Sequence, residues 1–516
     1  KTADEVKAKN IVLYPYAHLS SNLAKPDTAR EYLVEAEACF KKEGFNVTRA
    51  PFGYYKEFEL KCKGHPLSEL SKEFGPMHEN KEVIGVIAKE KRKEDKEEDT
   101  SRLLREISRS KLDTSKLKEN DHRILGQKLD LFSFNESAPG SVFWHKNGLA
   151  IYNELVKFSR ELHERFNYQE ISTPQFVSNK VWKISGHWYH YRDNMFISDY
   201  EGNDFALKPM NCPGMMLVYK TKTRSYKEMP LRLFEFGVVH RKELSGVLAG
   251  MFRVVKFTQD DAHIFCLKEQ IQGEMEKIAE LIKIIYKDTF NFDYSLELST
   301  RPEKFMGDKK DWDSAEKSLE DALKKMKIKY TIKKGDGAFY GPKIDIHIKD
   351  SLGRDWQCAT IQLDMQTPQR FELEYISKEN KRETPILIHR AIFGSLERFI
   401  AILLENTNGA LPLWISPTQV RVMSFTDRNI KAVEETYNLL KKEIPNLRVD
   451  MDLNSTTVND KVRDAEILRI PYMITIGDKE EEKGTLAVKE RGQKPKFGIK
   501  MDDFVRELKE RIGKRG

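Results

Sequence analysis

The sequence predicts an α+β chain of several domains, and three observations carry that prediction. Residues 89–99, "KEKRKEDKEED", are all charged and of mixed sign, a pattern typical of a solvated helix or linker, and they set a small N-terminal piece apart. From about 121 to 410, apolar strand-like stretches alternate with long helical patterns, and two of the strands are joined by a short loop containing glycines. From about 411 the order becomes that of a compact α/β domain with a mixed sheet. The 516 residues suffice for about three or four domains. The boundaries read from the sequence are 1–76, a charged linker at 77–120, 121–410 and 411–516.

Composition narrows the class. Apolar residues make up 39% and charged residues 33%, as expected of a globular protein with real cores. No apolar run approaches the roughly 20 residues a membrane span requires, and the N-terminus lacks the apolar core of a signal peptide. Cys39, Cys62, Cys212, Cys266 and Cys358 are odd in number and scattered, with no C-x-x-C pair. This is no disulfide framework, and it predicts a reducing cytoplasm. A net charge of +7 permits a nucleic-acid partner without requiring one.

Taken in order, "NIVLYPYAHL" reads as a strand and "TAREYLVEAEACFKKEGF" as an amphipathic helix ending at Gly44. In "AIYNELVKFSRELHERFNYQEISTP" (150–174), Ile151, Leu155, Phe158, Leu162 and Phe166 form one apolar stripe, whose simplest reading is a helix facing a core. "KPMNCPGMM" (208–216) places Cys212 between Pro209 and Pro213, which predicts a stiff loop rather than a helix. "RLFEFGVVHRKELSGVLAGMFRVVKFTQDD" reads as two strands joined by about nine residues, with Arg241 closing the first and Arg253 on the second. "ILIHRAIFGSLERF" (386–399) reads as a strand, a glycine break and a helix carrying Arg398 in its first turns. The C-terminal part reads as strand 420–424, helix 428–443, strand 447–453, helix 457–468, strands 472–477 and 485–489, and helix 502–512.

Two constellations carry chemistry. Cys212 has no metal-ligand partner nearby in sequence, so any partners come from strands, where His263 and His389 follow β-prone residues. Spacing alone leaves open a buried thiol with two hydrogen-bonded core histidines. Arg241, Arg253 and Arg398 beside apolar strands would be costly without an anion to pair with, and a nucleotide triphosphate is such an anion. Neither a P-loop nor a G-x-G-x-x-G after a strand occurs, so ATP here would be held by arginines on antiparallel strands.

These motifs resemble those of the threonyl-tRNA synthetases, a class II aminoacyl-tRNA synthetase family. The helix ending at Pro174 is similar to the dimer-forming first motif, "FGVVHRKE…FRVVKFTQDDAHIFC" to the second and "GSLERF" to the third. "MNCPG", "TQDDAHIFC", "FYGPKIDI" and "WQCATIQLD" are specific to the threonine branch, and the match runs from about 121 to 516. Met215 departs from the histidine many relatives carry after "NCPG", at a position that is not a ligand. The resemblance implies a class II antiparallel sheet flanked by helices, a C-terminal α/β anticodon-binding domain, and a partial N-terminal α/β editing domain.

By the same resemblance, Cys212, His263 and His389 are the family's zinc ligands, with a fourth position open to substrate. An apolar pocket separates threonine from valine poorly, whereas a metal contact to the β-hydroxyl rejects valine. Asp261 and Tyr340 assist the amino and hydroxyl groups, and Met210, Gln259, Gln357 and Ser395 shape the pocket. In adenylate formation Arg241 bridges the threonine carboxylate and the α-phosphate, and Arg398 holds the γ-phosphate. Glu243, Arg253 and Gln357 bind the nucleotide, Phe257 stacks on adenine, and Lys343 neutralises phosphate charge beside Mg²⁺. His187 is the candidate proton relay for transfer to the tRNA, with a purely structural histidine as the alternative.

Arg463, Glu480, Lys489 and Asn380 fall where relatives make anticodon contacts; Lys489 replaces an arginine and gives up bidentate base reading. Residues 1 to about 76 resemble the archaeal-type domain that hydrolyses seryl-tRNA, with His18, Lys56 and Glu69 at its functional positions. Its opening strands are absent from this sequence, which predicts a truncated, doubtful editing function. The expected partners are tRNA(Thr), threonine and ATP, with a homodimer formed through the region 150–174. A synthetase-like tRNA- or mRNA-binding regulator without catalysis would have lost motif arginines or ligands, and a pure editing factor would not need residues 121–410.

Overall fold

The computed structural model describes residues 8–15, 25–52, 100–107, 117–350 and 353–515. The chain forms two compact units, 1–96 and 97–516. In the first unit, strand β1 (Asn10–Leu13), helix α1 (Pro26–Lys42) and strand β2 (Asn46–Arg49) make a βαβ element with parallel pairing. Pro26 opens α1 where a missing N–H costs nothing, and Gly44 follows its end with φ +85°. Arg49 Nε reaches Glu37 Oε2 at 3.0 Å, tying β2 to the helix. His18, Lys56 and Glu69 lie outside the described residues.

The second unit is built on an eight-stranded, mostly antiparallel sheet. In chain order its parts are helix α2 (His122–Lys128), α3 (Lys146–Arg165), strand β3 (Gln169–Glu170), helix α4 (Cys212–Tyr219), the long strands β4 (Leu231–His240) and β5 (Lys256–Cys266), helix α5 (Ile271–Ile282), strand β6 (Tyr294–Ser299), helix α6 (Lys309–Lys325), strands β7 (Thr331–Lys333), β8 (Lys343–Lys349), β9 (Asp355–Asp364) and β10 (Ile386–Ser395), and helix α7 (Leu396–Thr407). The sheet order is β7–β6–β8–β9–β10–β5–β4–β3. The α+β class and its antiparallel core are therefore as the sequence predicts.

Alternation divides the two faces of this sheet. Even positions of β5 and β10, among them Ala262, Ile264 and Ile392, turn to one side and join Ile278, Leu319, Ile400 and Leu403 of the helices in the main core. The stripe Ile151, Leu155, Phe158 and Leu162 of α3 packs into the same core, so it is core-facing, and Phe166 packs partly buried at its edge. The odd positions are opposed across the strands: Gln259 to Ser395, Asp261 to Ala391, His263 to His389, and His389 to Gln362. These side chains share the other face, which α4 covers at one end, where its Met215, Met216 and Tyr219 pack with Phe265 and Leu387, and which is polar around the His263–His389 pair.

Two local expectations are corrected. Cys212 and Pro213 sit in the first turn of α4, not in a loop, because Pro at the first helical positions loses no intrahelical bond and its fixed φ suits the helix. Arg253 is not on a strand: β4 ends at His240 and β5 begins at Lys256, leaving a longer connection, 241–255, with Gly250 at φ +54°.

The C-terminal part is a five-stranded mixed sheet. Strands β11 (Val420–Ser424), β12 (Val449–Asp452) and β13 (Tyr472–Ile476) are parallel, and β14 (Thr485–Glu490) and β15 (Lys496–Lys500) add antiparallel at one edge, in the order β12–β11–β13–β14–β15. Helices α8 (Ile430–Glu443), α9 (Val458–Ile467), α10 (Asp478–Lys483) and α11 (Met501–Gly513) complete it. The sequence reading lacks β15 and α10: β15 is an exposed edge with weak alternation, and α10 is an acidic single turn held by Glu480 accepting the Gly477 N–H at 3.2 Å. Arg448 joins this part to the larger sheet's helices, donating to Glu154 at 2.6 Å and to the Ser416 and Trp414 carbonyls at 2.8 and 2.6 Å.

Gly148 tests the packing of α3. A Cβ there would lie 2.0 Å from the Leu131 carbonyl oxygen. Gly148→Ala gains about 1 kcal/mol of helix propensity, yet the clash with rigid backbone outweighs it. The expected net loss is about 1–3 kcal/mol, read as a lower urea midpoint; an unchanged or raised midpoint contradicts this packing.

Candidate active site

On the open face of the large sheet lies a cavity of about 420 Å³. Its floor is the register just described. Cys212, at the start of α4, brings its sulfur to the rung where His263 of β5 opposes His389 of β10, and one donor atom from each of the three lies within 4.8 Å of the others. His263 is fully buried, and neither of its ring nitrogens has a partner; His389 Nδ1 has none either. A buried polar atom without a partner costs roughly 1–3 kcal/mol, so three unpartnered nitrogens beside a thiol need an occupant. A tetrahedral cation that takes nitrogen and sulfur donors fits this set, and zinc is such a cation.

The electrostatics agree. Burial pushes the Cys212 thiol up, with His389 opposing it, and burial with the neighbouring His389 holds His263 well below the usual imidazole range. His389 is instead held up to about 10: burial opposes its charge, but Cys212 and Asp364 outweigh it. Asp364 Oδ2 receives His389 Nε2 at 2.9 Å, while its Oδ1 accepts the Gln366 and Thr367 N–H groups at 2.8 and 2.9 Å. The imidazole is thereby turned so that Nδ1 faces Cys212. A second cluster, Asp121, His122 and Glu405, has metal-like spacing but is internally hydrogen-bonded.

Three arginines converge beside the trio. Arg241, just past the end of β4, donates from Nε to the Pro209 carbonyl at 3.2 Å, with its guanidinium 5.0 Å from the Phe257 ring centre. Arg398, in the first turn of α7, donates to the Phe252 carbonyl at 2.9 Å and the Gln357 carbonyl at 2.8 Å. Ser395 caps that helix, accepting the Arg398 N–H at 3.1 Å. Arg253 meets Glu243 at 2.8 Å. Burial holds Arg398 below its ordinary range, and Arg241 and Arg253 add to this. A cavity that crowds guanidiniums together without enough carboxylates is built for an anion.

Met210, Gln259, Asp261, Tyr340 and Gln357 complete the lining. Asp261 accepts from Asn211 Nδ2 at 2.8 Å, and burial raises it to about 6; Tyr340 donates to Gln362 at 2.6 Å. Lys343 and His187 are not on the cavity wall. Lys343 pairs with Asp345 at 2.7 Å on β8. His187 sits behind Met210, its Nδ1 2.9 Å from Ser185 Oγ and its Nε2 2.9 Å from the Met210 sulfur, and burial lowers it to about 4.

Three family profiles match the chain: the tRNA synthetase class II core domain (G, H, P, S and T) over residues 194–407, the Archaea-specific editing domain of threonyl-tRNA synthetase over 1–74, and an anticodon binding domain over 419–511. The threonine–tRNA ligase of Desulforamulus reducens is 49% identical over 395 residues, covering 77% of this chain and 62% of that protein. The crystal structure of the RNA binding domain of threonyl-tRNA synthetase from Cryptosporidium parvum is 41% identical, with a TM-score of 0.73, covering 76% of this chain and 98% of that one. The chain belongs to the threonyl-tRNA synthetase family. It spans about three-fifths of the length of the curated bacterial relatives. A threonyl-tRNA synthetase structure described as putative, from Aeropyrum pernix, is also alike, at 29% identity and a TM-score of 0.67, covering 77% of this chain and 97% of that one.

Within the C-terminal part of this family member, Arg463 is exposed on α9 and pairs with Asp460 at 3.1 Å. Lys489 on β14 is tied to Glu466 of α9 at 2.6 Å, and Glu480 caps α10. Asn380 lies in the 121–410 region, at φ +58° in the turn between residues 376 and 382. No described contact joins these four. Sequence reasoning missed Asp364, Asn211, Phe252 and Trp356. Asp364 and Trp356 stand in the motif "WQCATIQLD", but only the folded sheet shows that Asp364 holds His389.

Glu397, buried below the cavity on α7, accepts the Thr258 N–H at 3.0 and 3.2 Å and is raised to about 7, by burial first. A raised carboxyl favours folding below its unfolded value near 4.5 and loses that contribution as pH rises through about 7. The stability of Glu397→Gln relative to the parent is therefore expected to improve between pH 5 and pH 8, by about 1.4 kcal/mol for each tenfold difference in proton affinity between the folded and unfolded carboxyl. Urea unfolding of both chains across that range tests it, and a difference independent of pH contradicts it.

Proposed function

We propose that this protein ligates L-threonine to tRNA(Thr) in an ATP-dependent reaction through a threonyl-adenylate. One observation carries the reading: Arg241, Arg253 and Arg398 line one cavity with Cys212 and His389, and fully buried His263 completes the trio beside it, an anion site next to a metal-type site. Cys212, His263 and His389 would hold a zinc ion, which when bound supplies a Lewis-acid contact that threonine's amino and hydroxyl groups satisfy and valine cannot.

The chain's own residues do the rest. Asp261, beside the trio, accepts from the substrate amino group, and Tyr340 and Gln362 border the hydroxyl. Met210, Gln259 and Ser395 close the small pocket around them. Arg241 bridges the carboxylate and the α-phosphate, so the attacking oxygen and the phosphorus are held together. Arg398, Arg253 and Glu243 fix the nucleotide, with Phe257 against adenine and Gln357 at the border of both substrates. Lys343 and the Mg²⁺ that accompanies ATP balance phosphate charge. These groups act mainly by orientation and charge stabilisation. His187, kept neutral by burial, relays a proton in the transfer to tRNA. Arg463, Glu480, Lys489 and Asn380 contact the anticodon.

Serine carries the same amino and hydroxyl pair as threonine, and one methyl is worth only about 1–3 kcal/mol. Selection at this site therefore leaves seryl-tRNA to be removed, a task for the N-terminal domain that His18, Lys56 and Glu69 would serve. We place the enzyme in the cytoplasm, as a homodimer through the region 150–174. Among the described residues no helix is long and apolar enough to cross a membrane.

Two measurements test this reading. The purified protein is expected to hold about one zinc per chain, with Cys212→Ala losing it and Asp364→Asn weakening its retention against a chelator by about 10–100-fold; activity with no bound metal refutes the site. Arg398→Ala is expected to slow threonine-dependent ATP–pyrophosphate exchange by about a hundredfold or more while tRNA binding is retained. A normal exchange rate in that variant removes Arg398 from the nucleotide site.

A further inference from the structure

The second cluster with metal-like spacing has another use. His122 is fully buried at the start of α2, its ring 4.7 Å from that of Phe252, edge to face. Its Nε2 accepts the Met251 backbone N–H at 3.0 Å. The proton therefore resides on Nδ1, which donates to Glu405 Oε1 at 2.8 Å. Glu405 Oε1 also accepts the His122 N–H at 3.2 Å, and its Oε2 receives Arg354 at 3.3 Å. Asp121 is occupied by Arg123 at 2.9 and 2.8 Å. Every donor atom of the cluster is spent on a hydrogen bond, so its role is not to hold a cation.

What it holds is the cavity wall. Met251 precedes Phe252, whose carbonyl anchors Arg398 at 2.9 Å. The Phe252 ring lies flat on Trp356, centres 4.2 Å apart and planes 4° apart, with the Arg354 guanidinium 5.2 and 5.4 Å from the two ring centres. Asp350 fixes both Arg354 and the Trp356 indole N–H, the latter at 2.8 Å. Both sides of this stack therefore return to the Glu405–His122 pair. Gly250 lets the backbone come this close: a Cβ there would lie 2.3 Å from His122 Nε2.

We propose that His122 is a positioning residue for the nucleotide site, holding the Met251 amide so that the Phe252 carbonyl presents Arg398 to the phosphates. The proposal rests on the nucleotide reading of the cavity. It assigns His122 an effect on ATP and none on threonine, which binds on the trio's side.

The test is threonine-dependent ATP–pyrophosphate exchange by the full chain, with each substrate varied in turn. His122→Leu is expected to raise the KM for ATP about tenfold, as for one buried donor left unpaired, with the KM for threonine within about twofold. His122→Gln, which can accept from Met251 and donate to Glu405, is expected to restore most of the loss. Gly250→Ala pushes on the same contact without removing a buried group, and it is expected to raise the KM for ATP as His122→Leu does. A folded His122→Leu chain with the parental KM for ATP, or with both KM values raised alike, overturns the proposal. If His122→Leu does not fold, Gly250→Ala decides, and a parental KM for ATP there overturns it. A parent chain that exchanges no pyrophosphate is a different failure, that of the nucleotide reading itself.

Discussion

His263 opposes His389 across one rung of the central antiparallel sheet, and the organisation of the site depends on that register. Side chains alternate along a strand, so a slip of one residue would turn His263 into the core and bring Ile264 or Ala262 to the open face. The same rung places Asp261 and Gln259 beside the trio and, through Gln362, positions Tyr340. On the opposite face the constraint is apolar: Ala262, Ile264 and Ile392 are packed against α5, α6 and α7. Burial of that face, together with that of Phe265 and Leu387 under α4 on the other, opposes the slip. Packing on one side of the sheet thus sets the chemistry on the other.

The register has an electrostatic cost that the site turns to use. Three nitrogens with no partner and a thiol raised by burial are tolerated together because a soft-to-borderline cation can satisfy them at once. The carboxylate of Asp364 fixes one imidazole of the trio, as a preorganised ligand set would require. The arginine side of the cavity, proposed above for the nucleotide, follows the same rule with opposite charge. Arg398 is half-buried, held by two backbone carbonyls, and close to two further arginines, a state that an anion would relieve. Backbone carbonyls hold Arg241 and Arg398, whereas the Glu243 side chain holds Arg253, so in the nucleotide site proposed above the first two would need little reorganisation.

Much of this is legible in the linear chain, and the reason is local. Strand periodicity places His263 and His389 on strands, helical periodicity finds α3, α7, α8 and α11, and the C-terminal strand and helix order follows the sequence pattern closely. The departures are local as well. Pro213 argues against a helix by residue type, although a first-turn proline fits one, and Arg253 continues an apolar pattern whose strand starts only at Lys256. Short elements such as α10 and β15 are too brief and too exposed to show a period.

The sequence by itself determined the residue types, the periodicities and the motif order that mark the family. Those depend on neighbours a few positions apart. Only the tertiary structure decided which buried atoms lack partners, that Asp364 aims His389, and that His122, more than a hundred residues before Met251, carries the wall of the cavity. These relations join distant strands and helices through single hydrogen bonds, and a hydrogen bond between remote side chains leaves no period in the chain. It exists only once the core has brought both partners out of water, where each has no alternative but the other.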